Sequence, residues 1–474
     1  MTTAIVVGGG PNGLTAAALL ARAGLDVTLL EAADEVGGGT RSQEAILPGL
    51  LHDHCSAVHS MTVASPAHQA LDLARHGLRW RLPDVDCVHP LDDGTAGVLL
   101  RSVKDTARLL GPDGPRYRRL LEPSARHWEA LSRDVLGPLL RVPSHPLLLA
   151  RFGLPTPLPA TLLARLFSTT RARALWAGVA AHSFRPLSEP FGSAIGLGIL
   201  AAGHATGWAV AEGGSQAIAR ALEQALHAHG GRVRTGVRIT RHTQIPPADV
   251  TLLDLDPAQI ARVYGDRLPT RVRRAYRRFR RGPAAFKVDL AVEQGVPWTN
   301  AHARRSGFVH LGGTLAEIAQ AARDVDEGRM PERPFVLVAQ QYLADPGRSA
   351  GDVHPVWAYA HVPHGYDGDA TQAVLGQLER FAPGTRDRVT GLRVTSPAGF
   401  AAANNFAGGD ILTGASTVPR LLFGPRPALD PYSTTLPGVF SCSAATPPGP
   451  GAHGMCGAGA AASALRHLGA TPDW

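Results

Sequence analysis

The first residues of the chain alternate between apolar runs and glycine-rich turns. Ile5, Val6 and Val7 form a short β-branched run, which is typical of a strand buried on both faces of a parallel sheet. An Ala- and Leu-rich stretch follows and predicts a helix that ends near Gly24. The apolar run from Val27 to Leu30 predicts a second strand. The pattern therefore predicts a βαβ unit at the start of the chain.

The central region changes from strands to helices. The stretch from Val85 to Leu100 predicts two strands around the turn at Asp93 and Gly94. From Ser102 to about Ala202 the pattern is helical, and prolines break it into pieces. We interpret this region as a helical cap.

The later apolar runs predict two different sheets. Residues 247–257 form an apolar strand that we expect to return to the parallel sheet begun at Ile5. Ala285 to Val292 and Phe335 to Gln341 alternate as strands of a mixed sheet, with Lys287 and Asp289 on one face. The run from Val439 to Cys442 predicts a last strand, before a helix of small residues that begins near Gly454.

Composition indicates a folded protein without a nucleic-acid partner. Of the 474 residues, 44% are hydrophobic and 18% are charged, which is typical of a soluble globular chain. The net charge of +8 comes from scattered arginines, since Lys104 and Lys287 are the only lysines. We interpret the densest cluster, Arg271 to Arg281, as a solvated helix face.

The four cysteines exclude some classes of chemistry. Cys55, Cys87, Cys442 and Cys456 are too far apart for a disulfide scaffold, and no CxxC or CxxxxC pair supplies a redox-active dithiol. This usage fits a reducing compartment. The chain enters its first strand at once, without a signal peptide, so we expect a cytoplasmic protein.

Two apolar segments have more than one interpretation. Phe191 to Val210 has about the length of a membrane span, but its glycines and His204 favour a buried helix. Leu136 to Phe167 alternates leucines with prolines and arginines. It would suit a substrate entrance or a peripheral contact with a membrane surface, although helices packed on each other explain it more simply.

The chemistry-bearing motif lies in the first βαβ unit. Gly8, Gly10 and Gly13 have GxGxxG spacing, which allows a tight turn and a close approach of backbone to a pyrophosphate. Glu31 ends the second strand, where a carboxylate accepts ribose hydroxyls. The order of strand, glycines, helix, strand and acid predicts a dinucleotide site. A second glycine cluster, residues 37–41, resembles the extension in FAD-binding chains of the amine oxidase and phytoene desaturase type.

A histidine-rich loop follows at residues 47–61. His52, Asp53, His54 and His59 invite a metal interpretation, but their spacing is loose and no second group of ligands is evident. We therefore expect no metal site and interpret the segment as a loop under the flavin.

Nearly the whole chain resembles the phytoene desaturase-like flavoproteins, and most closely the pyridine nucleotide-disulphide oxidoreductase domain-containing subgroup. The resemblance rests on the first βαβ unit and on five later segments: EGGSQAIARAL (212–222), FKVDLAV (286–292), FVHLGGTLAEIAQA (308–321), DPGRSAGDVHPVWAYAHVP (345–363) and GPGAHGMCGAGAA (449–461). It implies an α/β fold, in which a discontinuous Rossmann-like FAD-binding domain is interleaved with a mixed-sheet substrate domain carrying the helical cap. The expected FAD-binding pieces are 1–80, 205–260 and 425–474, with the substrate-binding domain at 81–204 and 261–424.

The resemblance also implies site residues. Those expected to hold FAD are Gly8, Gly10, Pro11, Asn12, Gly13, Glu31, Gly38, Gly39 and Arg41, with Gly454 and Met455 at the isoalloxazine. Neither a dithiol nor a second GxGxxG is present, although the subgroup's name suggests both.

The expected activity is oxidation or desaturation of an apolar small molecule by hydride transfer to flavin N5. Oxygen or a quinone-like molecule would accept the electrons. Candidate bases are Lys287, His361 and His453; a Lys287–Asp289 pair on a wet face is the alternative for Lys287. Two other hypotheses stay open: an isomerase that uses reduced FAD, and a flavin-stabilised interaction protein without turnover.

Overall fold

The protein is organised by two sheets, described by a computed structural model of residues Met1 to Trp474. The strands are β1 (Thr3–Val7), β2 (Asp26–Leu30), β3 (Ser42–Glu44), β4 (Leu51–Asp53), β5 (Trp80–Arg81), β6 (Val85–Pro90), β7 (Ala96–Leu99), β8 (Val210–Ala211), β9 (Arg232–Arg234), β10 (Val250–Leu253), β11 (Ala284–Glu293), β12 (Ser306–Leu311), β13 (Val336–Ala339), β14 (Val353–Val362), β15 (Val389–Thr395) and β16 (Val439–Ser441).

The α-helices cover both sheets. They are α1 (Pro11–Arg22), α2 (Ser60–Val63), α3 (Pro66–Ala70), α4 (Val103–Leu110), α5 (Gly114–Arg126), α6 (Trp128–Val135), α7 (Pro146–Gly153), α8 (Ala160–Leu163), α9 (Thr170–Ala180), α10 (Gly192–Thr206), α11 (Gln216–Ala228), α12 (Pro257–Tyr264), α13 (Thr270–Arg277), α14 (Leu315–Asp326), α15 (Thr371–Phe381), α16 (Thr385–Arg388), α17 (Pro397–Asn404), α18 (Val418–Phe423) and α19 (Met455–His467).

The first sheet is parallel and has the strand order β16-β10-β1-β2-β9. Ala4 of the central strand β1 is paired with Val27 of β2 on one side and with Val250 of β10 on the other. Its apolar residues are buried under α1, α11 and α19, as expected for a parallel sheet covered by helices. A parallel sheet with a βαβ start confirms the predicted Rossmann-like fold class.

The second sheet is mixed and has the order β15-β11-β14-β13-β12-β6-β7. Its two longest strands, β11 and β14, pair antiparallel over ten residues each. The predicted pair around Asp93 and Gly94 is present as the hairpin β6–β7. In the parallel sheet the edge strand β9 is short, since only Arg232–Arg234 pairs with β2.

Between β7 and β8 the chain is helical, as the proline-broken pattern predicts, and α4 to α10 lie here. The apolar run at Phe191 to Val210 forms α10, ten of whose fifteen residues are buried. None of the helices is both long enough and apolar enough to cross a bilayer.

Candidate active site

One cavity of about 570 Å³ extends between the two sheets. One half is formed by the turn between β1 and α1, the end of β2 and the segment after β10. The other half lies against the second sheet and the helical region. Since both halves are continuous, a long ligand can span them, with one end on each sheet.

The turn at Gly8, Gly10 and Gly13 is as tight as the motif predicts. Gly8 has a φ of 104°, and a Cβ on Gly13 would lie 2.0 Å from the carbonyl oxygen of Gly8. Helix α1 begins at Pro11 with no side-chain cap and no acidic residue in its first turn. The Gly13 N–H is taken by the Asp254 side chain, but the Asn12 N–H and the helix dipole are available to an anion, which fits a pyrophosphate.

Glu31 lies on the cavity wall at the end of β2. Its Oε2 accepts a hydrogen bond from the Gly9 N–H at 2.6 Å, and its Oε1 accepts one from the Ala33 N–H at 2.7 Å. Each oxygen keeps a further lone pair, so the carboxylate is held in place while it can still accept hydroxyl groups. This arrangement fits an adenosine ribose.

Two charged residues on this wall were not singled out from the sequence as site residues. Asp254, just after β10, accepts a hydrogen bond from the Gly13 N–H at 3.0 Å, and burial raises its pKa to about 7. Arg281 lines the cavity and pairs with Asp256. The last arginine of the predicted solvated cluster thus turns inward, because a buried carboxylate lies beside it.

The N-terminus of α19 meets that of α1 beside the cavity. A Cβ on Gly454 would lie 2.2 Å from Thr15 Oγ1, and one on Gly457 would lie 2.0 Å from the Asn12 carbonyl oxygen. Only glycine allows the two helices to approach so closely. Gly454 and Met455, like Gly13, pack behind the wall, whereas Gly8, Gly10, Pro11, Asn12, Gly38, Gly39 and Arg41 line the cavity.

The half of the cavity at the second sheet is apolar, and we call it the front chamber. Its wall contains four large aromatic side chains from two strands and one connecting segment: Trp208, Phe308, Trp357 and Tyr359. Aliphatic and further aromatic groups complete it: Met61, Ile199, Phe406, Ile411 and Leu412. Such a wall removes water from a flat ligand and from anything that stacks on it.

His453 is the predicted base that lies on the cavity wall. Its Nδ1 accepts a hydrogen bond from the Met455 N–H at 3.1 Å, and burial lowers its pKa to about 4. In a neutral ring whose Nδ1 accepts, Nε2 carries the proton. The backbone of Pro450 is a hydrogen-bond partner of the ring and opposes the lowering of its pKa, so His453 is bonded within its own loop.

Lys287 and His361 lie behind the wall. The Lys287 ammonium pairs with Asp289, and the two side chains have 1% and 2% exposure, so the predicted pair is present but its face is not wet. His361 is stacked on Phe184 with 3.8 Å between ring centroids, and burial lowers its pKa to about 3. A catalytic role for either residue stays a prediction.

Each member of the histidine-rich loop has a partner within the protein. His52 is bonded to the Leu290 carbonyl oxygen, His54 to Asn404 and His59 to Ser215, while Asp53 pairs with Arg348. The loop also runs under the cavity, because residues 55–62 line it continuously.

The front chamber contains functional candidates that sequence reasoning missed. His182, Trp208 and Tyr359 come from separate segments without a shared local motif, and only the fold brings them together. The one signal in the sequence is the alternation of Trp357, Tyr359 and His361 with alanines in β14 (WAYAH). It indicates that these three side chains share one face of a strand, but it does not indicate a chamber.

Comparisons with known proteins agree with this geometry. Residues 6–75 match the NAD(P)-binding Rossmann-like domain family. The chain is 24% identical to rat pyridine nucleotide-disulfide oxidoreductase domain-containing protein 2, over 98% of this chain and 93% of the relative. It is 30% identical to a hydroxyneurosporene desaturase of Cereibacter sphaeroides over half of each chain. A putrescine oxidase structure superposes with a TM-score of 0.61 at 17% identity, covering 99% of both chains.

Fold, glycine turn and relatives define the class of protein: the chain is an FAD-type oxidoreductase. The resemblance predicted from the sequence is confirmed, since pyridine nucleotide-disulfide oxidoreductase domain-containing protein 2 is similar along nearly its entire length.

Proposed function

We propose that the protein is a dehydrogenase or oxidase that removes a hydride from a largely apolar small molecule, with oxygen or a quinone-like molecule as the final electron acceptor. When bound, FAD supplies the hydride acceptor. The observation that supports the proposal is the continuity of the glycine turn with the front chamber in one cavity. A dinucleotide held at the first sheet extends toward aromatic walls that suit an apolar substrate.

The chain's own residues would divide the work along the cavity. Glu31 accepts hydroxyl groups, and the N-terminus of α1 holds an anion. The N-termini of α1 and α19 bring two positive dipole ends to the same place. These groups favour negative charge beside the chamber, which stabilises an electron-rich ring. Trp208, Phe308 and Trp357 exclude water and orient the substrate.

Anaerobic mixing of the purified FAD-loaded protein with apolar candidate substrates tests this function. Bleaching of the flavin absorbance, followed by recovery on admission of oxygen or a quinone, is the expected result. Turnover that requires flavin reduced beforehand would instead indicate an isomerase. Protein that purifies without flavin and does not bind added FAD would contradict both activities and leave an interaction protein.

We also propose that an anionic membrane surface is a docking partner. Seven of the thirteen exposed large hydrophobic residues lie between residues 139 and 166, and α7 has no buried residue. Residues 135–188 contain six arginines and neither aspartate nor glutamate, and Arg141, Arg151 and Arg165 are exposed. Exposed leucines with arginines and no acid suit anionic headgroups over an apolar layer.

The position of this segment supports delivery of an apolar substrate. Leu148, Leu149 and Phe152 of α7 pack against the buried cluster around Trp128, and Met61 packs against the same cluster. Met61 in turn lines the cavity. A surface in contact with lipid would therefore lie one layer of side chains from the front chamber.

A further inference from the structure

Two buried side chains and a partly exposed one form a hydrogen-bonded row that ends at the front chamber. His182 Nε2 lies 2.9 Å from His310 Nε2, and His310 Nδ1 lies 3.5 Å from the Cys87 sulfur. His310 and Cys87 have no exposed surface. His182, at the end of the row, is partly exposed and lines the cavity.

The free atom of the row is Nδ1 of His182. Its Nε2 is occupied by His310, whereas Nδ1 has no hydrogen-bond partner within the protein and is not among the buried unpaired atoms. It is therefore accessible, and the accessible space beside His182 is the chamber. A ligand in the chamber can therefore contact this nitrogen, whereas the other nitrogens of His182 and His310 are already paired within the row.

The rings of the row are neutral at physiological pH. Burial lowers the pKa of His182 to about 4, and it lowers the pKa of His310 well below the ordinary value, with the neighbouring His182 and His89 adding to the effect. Burial also raises the pKa of the Cys87 thiol, so it keeps its proton. Each imidazole consequently has one donor and one acceptor, and the row presents no charge to the chamber.

The row has a fixed place in the fold. A Cβ on Gly178, in the last turn of α9, would lie 2.7 Å from Nδ1 of both His310 and His89. Glycine inside a helix is unfavourable, and here its absence of a side chain leaves room for two imidazoles. Trp208 and Phe308, which also contact each other, both pack against the His182 ring, each with 5.9 Å between centroids.

Charged groups are confined to the other half of the cavity. The charged side chains on its wall are at the dinucleotide end: Glu31, Arg41, Arg238, Asp254, Asp256, Arg262 and Arg281. An ammonium or carboxylate in the front chamber would therefore be desolvated without a counter-ion. The chamber selects against charged ligands, yet His182 Nδ1 and the Tyr359 hydroxyl on its wall have no partner within the protein and require a polar one.

We propose that the front chamber binds an uncharged apolar molecule that carries a hydroxyl group, and that His182 Nδ1 is the hydrogen-bond partner of that hydroxyl. His310 is a positioning residue that holds the His182 ring. A hydroxyl both donates and accepts, so it suits either proton arrangement of the two imidazoles. The inference rests on the proposed function, because it names the substrate class for the same chamber.

Four probes with one carbon skeleton test the proposal: limonene, perillyl alcohol, perillic acid and perillylamine. Binding to the FAD-loaded protein is followed by perturbation of the flavin absorbance and by quenching of tryptophan fluorescence. We expect the alcohol to bind about tenfold more tightly than the hydrocarbon, since only it pairs the nitrogen. The acid and the amine should bind more weakly than the alcohol.

Variants separate recognition from folding. His182→Phe should bring the ratio of alcohol to hydrocarbon affinity close to one, while limonene still binds; His310→Phe should lower the same ratio. His182→Gln, which keeps a polar group, should retain part of the preference. His229→Phe, at an exposed histidine, is the matched control and should keep the full ratio.

The outcomes distinguish this inference from the proposed function. Equal binding of limonene and perillyl alcohol by the wild-type protein, or an unchanged ratio in a flavin-loaded His182→Phe protein, overturns the role of His182 and leaves the apolar chamber in place. Binding of none of the four probes contradicts the apolar chamber itself.

Discussion

Asp53 and Arg348 form an ion pair with 2.6 Å between Oδ2 and Nη1, although neither side chain has any exposed surface. The pair is fully hydrogen-bonded. The other Asp53 oxygen accepts from the Ser215 N–H at 2.7 Å, and Arg348 also donates to Asp345 and to the Ala211 carbonyl oxygen. The ion pair joins the histidine-rich loop, which contains Asp53, to the segment between β13 and β14, which contains Arg348.

We expect Arg348→Met to lower the free energy of unfolding by about 3–5 kcal/mol, because it leaves a buried carboxylate without its counter-charge. Denaturant unfolding measures the change. Arg305→Met is the control, since its pair with Asp84 is exposed and should contribute at most about 1 kcal/mol. Equal effects of the two substitutions would contradict the importance of burial.

The same pair predicts a pH dependence with a definite sign. Arg348 and the hydrogen bonds from Ser215 and Ser42 lower the pKa of Asp53, against the opposing effect of burial. Its stabilising contribution is therefore present above the ordinary carboxyl pKa and is lost as the pH falls through the lower folded value. The Asp53→Asn variant should lack this acid-side loss.

Asp254 should give the opposite sign. Its folded pKa is about 7, raised by burial from 3.8, so from about pH 4 to about pH 7 the unfolded chain ionises this carboxyl before the folded protein does. Stability from this group is complete below about pH 4 and is lost as the pH rises through 7. Relative to Asp254→Asn, the wild-type protein should lose up to about 4 kcal/mol over this range.

Unfolding of FAD-loaded wild type and Asp254→Asn across that pH range checks the difference. The exposed Asp34→Asn variant is the control and should follow the wild-type profile. Parallel profiles for the wild type and Asp254→Asn would show that Asp254 ionises normally in the folded protein.

Close packing of α19 on α1 predicts a loss of cofactor when a methyl group is added. Gly457→Ala places a Cβ 2.0 Å from the Asn12 carbonyl oxygen, so the two helices must separate beside the cavity. We expect a loss of about 1–3 kcal/mol in stability and a lower ratio of flavin to protein absorbance. Gly376→Ala, in α15 with no atom within 4 Å of the added Cβ, should keep its flavin.

The exposed apolar segment predicts binding to anionic vesicles. The wild-type protein should sediment with vesicles that contain phosphatidylglycerol, and Val142→Glu with Leu147→Glu should reduce the bound fraction at least about tenfold, because two charges enter the lipid-facing surface. Leu429→Glu is the matched control, since Leu429 is equally exposed but lies elsewhere. If the double variant and the control sediment alike, the segment is not the docking surface.

The sequence predicted those parts of the fold and site whose signal is local. The βαβ unit from Ala4 to Arg41 contains its strand, turn, helix and acid in one short stretch, so spacing alone identified it. Alternation placed Lys287 and Asp289 on the same face of β11, as the structure shows. The burial of that face could not be predicted, because it depends on the distant loop around His54 and Cys55, which covers it.

The front chamber lacked any such local signal. His182 follows α9, Trp208 precedes β8, and Phe308 lies on β12, so their meeting depends on how the helical region packs on the second sheet. Sequence periodicity determines which face of an element is apolar, but it does not determine which other element that face meets. The glycine turn and Glu31 could therefore be located from the sequence, whereas Asp254, Arg281 and the front chamber could not.

The order of strands in the parallel sheet also sets when the site can form during synthesis. β1 pairs with β10, and β10 pairs with β16, so the sheet joins residues from the beginning, the middle and the last tenth of the chain. The glycine turn is made long before α19, which packs against it. Such distant pairings make folding slow, and β1 lacks its β10 partner in a nascent chain until Leu253 has emerged from the ribosome.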